Sequence, residues 1–543
     1  MRFLPVNETI FLTELADLDE TLALFDSLNA NPIDGVEELV PAARTIMVYF
    51  NPIKITAQNL ISQIKQRDLS NKRAKSEQII EIAVRYDGED LEEVADYLQL
   101  SIADLIARHK NAEFTVAFTG FAPGFAYMTS SDALFDVPRK KTPRTRIPAG
   151  SLGLAGRFSG IYPQATPGGW QLIGTTDTPM FDINRNPASL LKPGDRVRFI
   201  EQPSKPIAVK NCDNQATLTS TDSRLDDNVD SKAAKPLIKV PLIQVKQCAF
   251  ALYFEDNGRI HQASQGISPS GALDKGAFKA INKIVGNDDN DPVLEIVFGG
   301  VEFEILSDTV IAFSGADCPV TLTAQNGRAI KLQANQPIGV EKGDILTIAP
   351  ANSGLRLYFT VRGGFDVAKI MNSSSRDILA NIGPEPVKTG DVLFASGKRV
   401  QKPVELGLTP AFAMPKAGDV VDIDVVLGPR TDWFTLDAIE VFLNQKWQVT
   451  PQSDRVGNRL NGEQALSRKI LDELPSEGTA TGAIQVPASG QPVLFLADHP
   501  LTGGYPVIAC VANHHLDLAG QLPAGCFIQF KVVNSQQAFA EML

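Results

Sequence analysis

Residues 115–128, Thr-Val-Ala-Phe-Thr-Gly-Phe-Ala-Pro-Gly-Phe-Ala-Tyr-Met, place two apolar runs around a Gly-Phe-Ala-Pro-Gly turn. Runs of β-branched and aromatic residues cut by Gly and Pro predict short strands of a barrel or sandwich. The pattern continues in Ile-Pro-Ala-Gly-Ser-Leu-Gly-Leu-Ala-Gly (147–156) and Gly-Gly-Trp-Gln-Leu-Ile-Gly-Thr-Thr (168–176). Just upstream, residues 91–110 read as one helix, the last before a long β region.

Working outward, residues 17–30 put Leu18, Leu22, Leu24, Phe25 and Leu28 largely on one helical face. Residues 43–52 read as a strand ending at Pro52, and 55–66 as a second helix, so 1–80 form a small α/β module. A first barrel occupies 81–202. Residues 203–236 are polar, without an aromatic or a sustained apolar period, and read as a flexible linker. Beyond it, 237–400 form a first β-barrel module with one helix at 273–287, 401–420 a Pro-containing connector, and 421–543 a second barrel. A weak repeat joins the halves. Ile147-Pro148-Ala149-Gly150 pairs with Val486-Pro487-Ala488-Ser489, Gly168-Gly169-Trp170 with Gly503-Gly504-Tyr505, and the closing strand 191–199 with 522–530. The expected fold is α+β but mostly β, with barrels duplicated across two halves.

At 543 residues the chain is too long for a single core. Its formal charge of −12 argues against nucleic acid, whose phosphates call for a basic surface. No apolar run approaches a membrane span, and the first residues read as a strand, which points to a cytoplasmic protein. Five scattered cysteines lack a CxxC pair and the five histidines lack an HExxH, so neither a disulfide framework nor a metal site is expected. Standard phosphate loops, dinucleotide fingerprints and nucleophile elbows are absent. Ala413-Met414-Pro415-Lys416 is only superficially like a biotin-acceptor tetrapeptide, and no biotin attachment site is expected.

The chemistry is carried by Gly- and aromatic-rich clusters. Glycines let backbone approach a ligand, and Tyr127 adds a hydroxyl above an apolar wall. Arg144 and Arg146, two apart on an extended segment, point to one side and suit a single anionic group. Tyr162, Gln164, Trp170 and Gln171 follow within the same region. His109 ends the predicted helix, where a positive side chain would favour the dipole.

Residues 120–128, 142–151 and 161–176 resemble the signature of the allophanate-hydrolase-subunit-1 type of domain. The second half is similar to the partner subunit-2 type, through 266–287, 294–305, Ser373–Asp377, 382–391, 428–435, 453–462, Ser476-Glu477-Gly478, 482–487 and 502–511. The resemblance implies cyclophilin-like barrels and three possible roles. One is the B–C fusion of an ATP-dependent 5-oxoprolinase, working with a third subunit. The others are the carboxyltransferase module of a urea carboxylase and a non-catalytic regulator of a histidine kinase. No biotin carboxylase, carrier or amidase domain is present, which excludes a self-contained urea amidolyase and favours 5-oxoprolinase. Many relatives carry a GGxxGR segment where this chain reads Leu379–Pro386, and DRQTTGGYP where it reads DHPLTGGYP.

The reaction so implied opens the cyclic amide 5-oxo-L-proline to L-glutamate at the expense of ATP, as its Mg2+ complex. Arg144 and Arg146 are then expected to bind the substrate carboxylate or a phosphoryl group, beside Tyr127, Trp170 and Gln171. In the second half Asp454 or Glu477 is the expected general base and Arg455 the phosphate contact. Gln485, Asp498, Thr502 and Tyr505 lie near the matching Gly-rich turns and complete the expected site. Further association of the paired barrels into a higher-order oligomer is also implied.

Overall fold

A computed structural model describes residues 1–69, 79–130, 132–140, 142–202, 239–400 and 402–533. The expected linker 203–236 lies outside the described residues. Among those described, no helix is long and apolar enough to cross a membrane.

The amino-terminal module is a four-stranded antiparallel sheet in the order Arg2–Asn7, Ile10–Glu14, Thr45–Phe50, Val36–Pro41. Asp17 caps the helix Leu18–Ala30 through the Glu20 amide at 2.9 Å, and Thr56 caps Ala57–Lys65. Because strand side chains alternate, the sheet has two apolar faces. Phe3, Phe11, Val48 and Phe50 pack under the helices with Leu24, Leu60 and Ile64. Leu4, Val6, Leu12, Val40 and Met47 point the other way, onto Ala263, Ala480, Leu501 and Cys510 of the second half.

The first barrel runs, in spatial order, through Ile79–Val84, Arg196–Glu201, Phe114–Thr119, Ala126–Ser130, Phe158–Ile161, Ser151–Ala155 and Gln171–Thr175. It closes where Arg85 bridges Thr175 by two backbone hydrogen bonds of 2.8 Å. The last barrel is closed in the order Val420–Leu427, Phe527–Val532, Trp447–Val449, Gly457–Asn461, Val493–Phe495, Ala483–Gln485, Val507–Val511. Chain order maps onto spatial order identically in both, and in both the first and last strands are parallel neighbours. The barrel is therefore duplicated, but one pairing in the sequence repeat is corrected. Gly150 (φ +80°) donates to Tyr162 O, and its equivalent is Gly482 (φ +87°), which donates to Phe495 O. Ile147–Gly150 thus matches Thr479–Gly482. Val486–Ser489 instead opens the link from Ala483–Gln485 to Val493–Phe495.

Between the barrels, residues 241–394 fold as a six-stranded and a five-stranded sheet. Ile243, Val245, Phe303 and Leu346 of one face Leu294, Ile296, Phe313 and Phe359 of the other. The helix Lys275–Val285, capped by Asp274, packs Phe278, Ile281 and Ile284 beside Ala312 and Tyr358 of the five-stranded sheet.

Two expectations within the first barrel region are corrected. The single helix over 91–110 is two, Leu91–Tyr97 and Ile102–Asn111, because Gln99 is left-handed (φ +56°) and Ser101 caps a new start at Asp104. His109 is not a charged helix end. It is fully buried, stacked on Phe199 at 4.7 Å with Phe114 at 4.9 Å, and its Nδ1 pairs with the Tyr86 hydroxyl at 2.8 Å. Burial pushes its pKa down to about 3, so it folds as neutral imidazole. As pH falls below 6.5 the unfolded chain gains a proton that the folded one refuses, and stability is lost toward pH 3. The loss reaches about 1.4 kcal/mol per pH unit. His109→Phe should flatten the fall of Tm between pH 6.5 and about 4, read by thermal melts across pH.

Candidate functional site

The turn Gly120–Phe125 connects two strands of the first barrel and meets both other parts of the chain. The Phe121 amide donates to Thr502 Oγ1 at 3.1 Å and the Gly124 amide to Gln265 O at 3.0 Å. A Cβ at Gly120 would collide with Thr502 Oγ1, so glycine is needed for this close approach. Phe121 itself is left-handed (φ +65°), a conformation that costs a bulky residue energy and persists only under tertiary constraint.

Behind the turn lies an aromatic block. Tyr127 stacks on Phe118 at 4.3 Å, and Trp170 meets Phe125 at 5.3 Å and Tyr127 at 5.6 Å. The buried Tyr127 hydroxyl faces the seam between the barrels, where the Ser476 and Thr502 side chains work against the rise that burial gives its pKa. Burial raises the pKa of Tyr127 and Tyr162, and the Arg139 guanidinium opposes that rise at both. Arg139 is 41% exposed and its carboxylate neighbour, Glu473, stands 3.7 Å away. The seam thus presents a phenol, two hydroxyls and one loosely engaged cation over an aromatic wall, a set suited to a small polar anion.

Of the expected residues, Tyr127, Trp170 and Thr502 meet here. Glu477 is adjacent through the short ladder Glu477↔Gly503 and Gly478↔Thr502. Its carboxylate is gripped by both Nε and Nη2 of buried Arg430, which also meets Glu14 at 2.8 Å. Burial raises the Glu477 pKa and Arg430 pulls it back. Gln485 donates to Tyr505 O at 3.0 Å, and the Tyr505 ring, 46% exposed, lies under Arg468.

Arg144 and Arg146 do not converge on one anion. Arg144 binds both oxygens of Asp90, at 2.7 and 2.9 Å, where Lys140 and the Leu172 amide also arrive. Arg146 is exposed and makes no side-chain pair among the described residues. Gln171 is buried and donates to Pro138 O at 3.3 Å. The run of basic residues therefore divides: Lys140 and Arg144 neutralise Asp90, leaving Arg139 at the seam. Neighbouring positive charges in the sequence could not reveal that division.

Asp454 and Arg455 sit back to back with different fates. Asp454 is exposed, and its Oδ1 accepts from the Val456 and Gly457 amides at 2.8 and 3.2 Å, which fixes a turn. Arg455 is buried. Its Nε meets Asp498 at 3.0 Å, Nη1 meets Glu295 at 2.6 Å, and Nη2 meets Gly271 O at 2.7 Å. Glu255 and Arg356 complete the cluster, with Ser270 donating to Asp498 at 2.7 Å and Tyr358 to Glu295 at 2.7 Å. Burial, then the neighbouring acids Glu295 and Asp498, push the Glu255 carboxyl up. Asp377 is pushed up to about 7 by burial and by Asp498. With every Arg455 nitrogen engaged, the residue binds the last barrel to the middle sheets. Segment 498–502 links this cluster to the seam, with Asp498 in one and Thr502 in the other.

Two family profiles cover the chain: carboxyltransferase domain, subdomains C and D, over residues 1–191, and subdomains A and B over 265–532. The chain belongs to the carboxyltransferase-domain family. Its C/D half comes first and its A/B half second. It is 39% identical over 188 residues to the 5-oxoprolinase B subunit of Bacillus subtilis, covering 78% of that protein and 32% of this chain. It is 34% identical over 287 residues to the 5-oxoprolinase C subunit of Escherichia coli, covering 89% of that protein and 52% of this chain. Urea amidolyase of Saccharomyces cerevisiae is 33% identical over 290 residues, 50% of this chain but 16% of that protein. The crystal structure of TTHA0988 superposes with a TM-score of 0.77 at 30% identity, over 96% of this chain and 99% of that one. The seam described above is thus the junction of the C/D and A/B halves.

Removing Arg455 would strand several buried carboxylates, so Arg455→Ala should cost about 3–5 kcal/mol. Asp454→Ala, next to it, should cost about 1 kcal/mol or less. Urea denaturation of the two variants checks the contrast.

Proposed function

We propose that the chain is the fused B–C component of an ATP-dependent 5-oxoprolinase, opening 5-oxo-L-proline to L-glutamate together with a separate third subunit. The observation that carries this reading is that one polypeptide holds counterparts of two 5-oxoprolinase components, the B type before the C type. In this reading the lactam lies at the C/D–A/B seam. Arg139 binds its carboxylate, the Tyr127 hydroxyl donates to the lactam carbonyl oxygen, and Trp170 and Thr502 form the walls. Glu477 is held by Arg430 and keeps the strand of Ser476 in place. ATP supplies the phosphoryl group that activates an amide carbonyl otherwise protected by resonance. The donors near the seam do not suit its Mg2+ complex, since Glu477, Glu14, Glu473 and Asp90 each already face an arginine. The nucleotide is therefore assigned to the third subunit.

The match to urea amidolyase favours a second reading, a carboxyltransferase working with a biotin carrier. One assay separates the two: glutamate release from 5-oxoproline and ATP by this chain with and without the third subunit. Release requiring both components supports the oxoprolinase; none with both folded, but transfer from carboxybiotin, supports the other. Arg139→Ala should lower kcat/KM for 5-oxoproline by roughly 10–100-fold, the loss of about one charge-assisted contact, with Tm unchanged. An unchanged kcat/KM would remove Arg139 from the site.

A further inference from the structure

The last barrel carries a cluster that none of the chemistry above uses. After the strand Val507–Val511 the chain turns through Asn513–His515, beside Asp424 on the neighbouring strand Val420–Leu427. His514 Nε2 lies 2.9 Å from Asp424 Oδ2, and His515 Nδ1 lies 3.8 Å from the same oxygen. All three ligand atoms fall within 4.8 Å of one another.

We propose that Asp424, His514 and His515 bind one divalent transition-metal ion of the zinc class. Two imidazoles and a carboxylate are the donor set such borderline ions take, and hard ions such as Mg2+ prefer oxygen. Ligand atoms about 2.0–2.1 Å from a tetrahedral ion stand roughly 3.3 Å apart. The separations of 2.9 and 3.8 Å bracket that spacing, so small side-chain rotations suffice. His514 is 55% exposed, which leaves an approach for the ion and room for water as further ligands. Asp422 adds negative charge beside His515 and is met by Lys531 only at 3.8 Å. One bond must be exchanged, because His515 Nδ1 accepts from the Asp424 amide at 2.8 Å. That exchange costs about one hydrogen bond and weakens binding by roughly tenfold.

The ion would brace a turn that the amino-terminal module also holds. The Asn513 amide donates to Glu8 at 3.2 Å, and its side chain meets Asn7 and Thr9 at 3.2 Å. The site is thus a clip at the edge of that docking surface.

The test is Co2+ titration of the untagged, chelator-treated full chain, followed by absorbance and by competition with Zn2+. One visible-absorbing Co2+ per chain, displaced by Zn2+, is expected. Affinity should drop roughly tenfold or more in His514→Ala and in Asp424→Asn, and stay unchanged in His261→Ala, an exposed histidine elsewhere. Matching circular dichroism of the metal-free variants guards against misfolding, and His514 is exposed enough to be replaced safely. No saturable Co2+ binding, or binding that survives His514→Ala, overturns the proposal.

Discussion

One hydrogen bond, from the Phe121 amide to the Thr502 hydroxyl, marks the constraint on which the molecule is organised. It exists because Gly120 has no side chain and Phe121 accepts a left-handed backbone. With that contact made, the first barrel lies against the last, the Tyr127 phenol is turned toward Ser476, and the Gly124 amide reaches the middle module at Gln265. A bulkier residue at 120 would push the halves apart and open the seam from both sides.

The Arg455 cluster holds the other end of the same segment. Burying several acids around few arginines is costly, and such a network is weak evidence for stability in itself. Its value is positional: Asp498 accepts from Arg455, Ser270 and the Ile378 amide, so the strand leading to Thr502 is fixed from behind. Burial raises the pKa of both Glu255 and Asp377, which shifts them toward the neutral form and eases the negative excess.

Much of this was legible in the sequence because it was written in turns and periodicity. Gly120-Phe121-Ala122-Pro123-Gly124 and the Gly-Gly turns indicated the barrels and their duplication, and Tyr127, Trp170 and Thr502 could be gathered from their neighbourhoods. Roles that depend on pairing across the fold were not legible. Arg144 looked like an anion site until Asp90, 54 residues away, engaged its guanidinium. Arg455 looked like a phosphate contact until Asp498 and Glu295 surrounded it. His109 read as a helix end because helical periodicity says nothing of the Phe199 ring lying over it. The misaligned repeat at Val486–Ser489 has the same origin: Pro-Ala recurs in turns of different position, and only strand pairing separates them.

The amino-terminal sheet carries a consequence for synthesis. Its second apolar face, Leu4, Val6, Leu12, Val40 and Met47, finds its cover in Ala480, Leu501 and Cys510, which leave the ribosome more than four hundred residues later. Were the halves separate chains, that face would wait for a diffusing partner and invite aggregation. Joining them in one polypeptide makes the encounter intramolecular, with an effective concentration that no dilution in the cell can reduce.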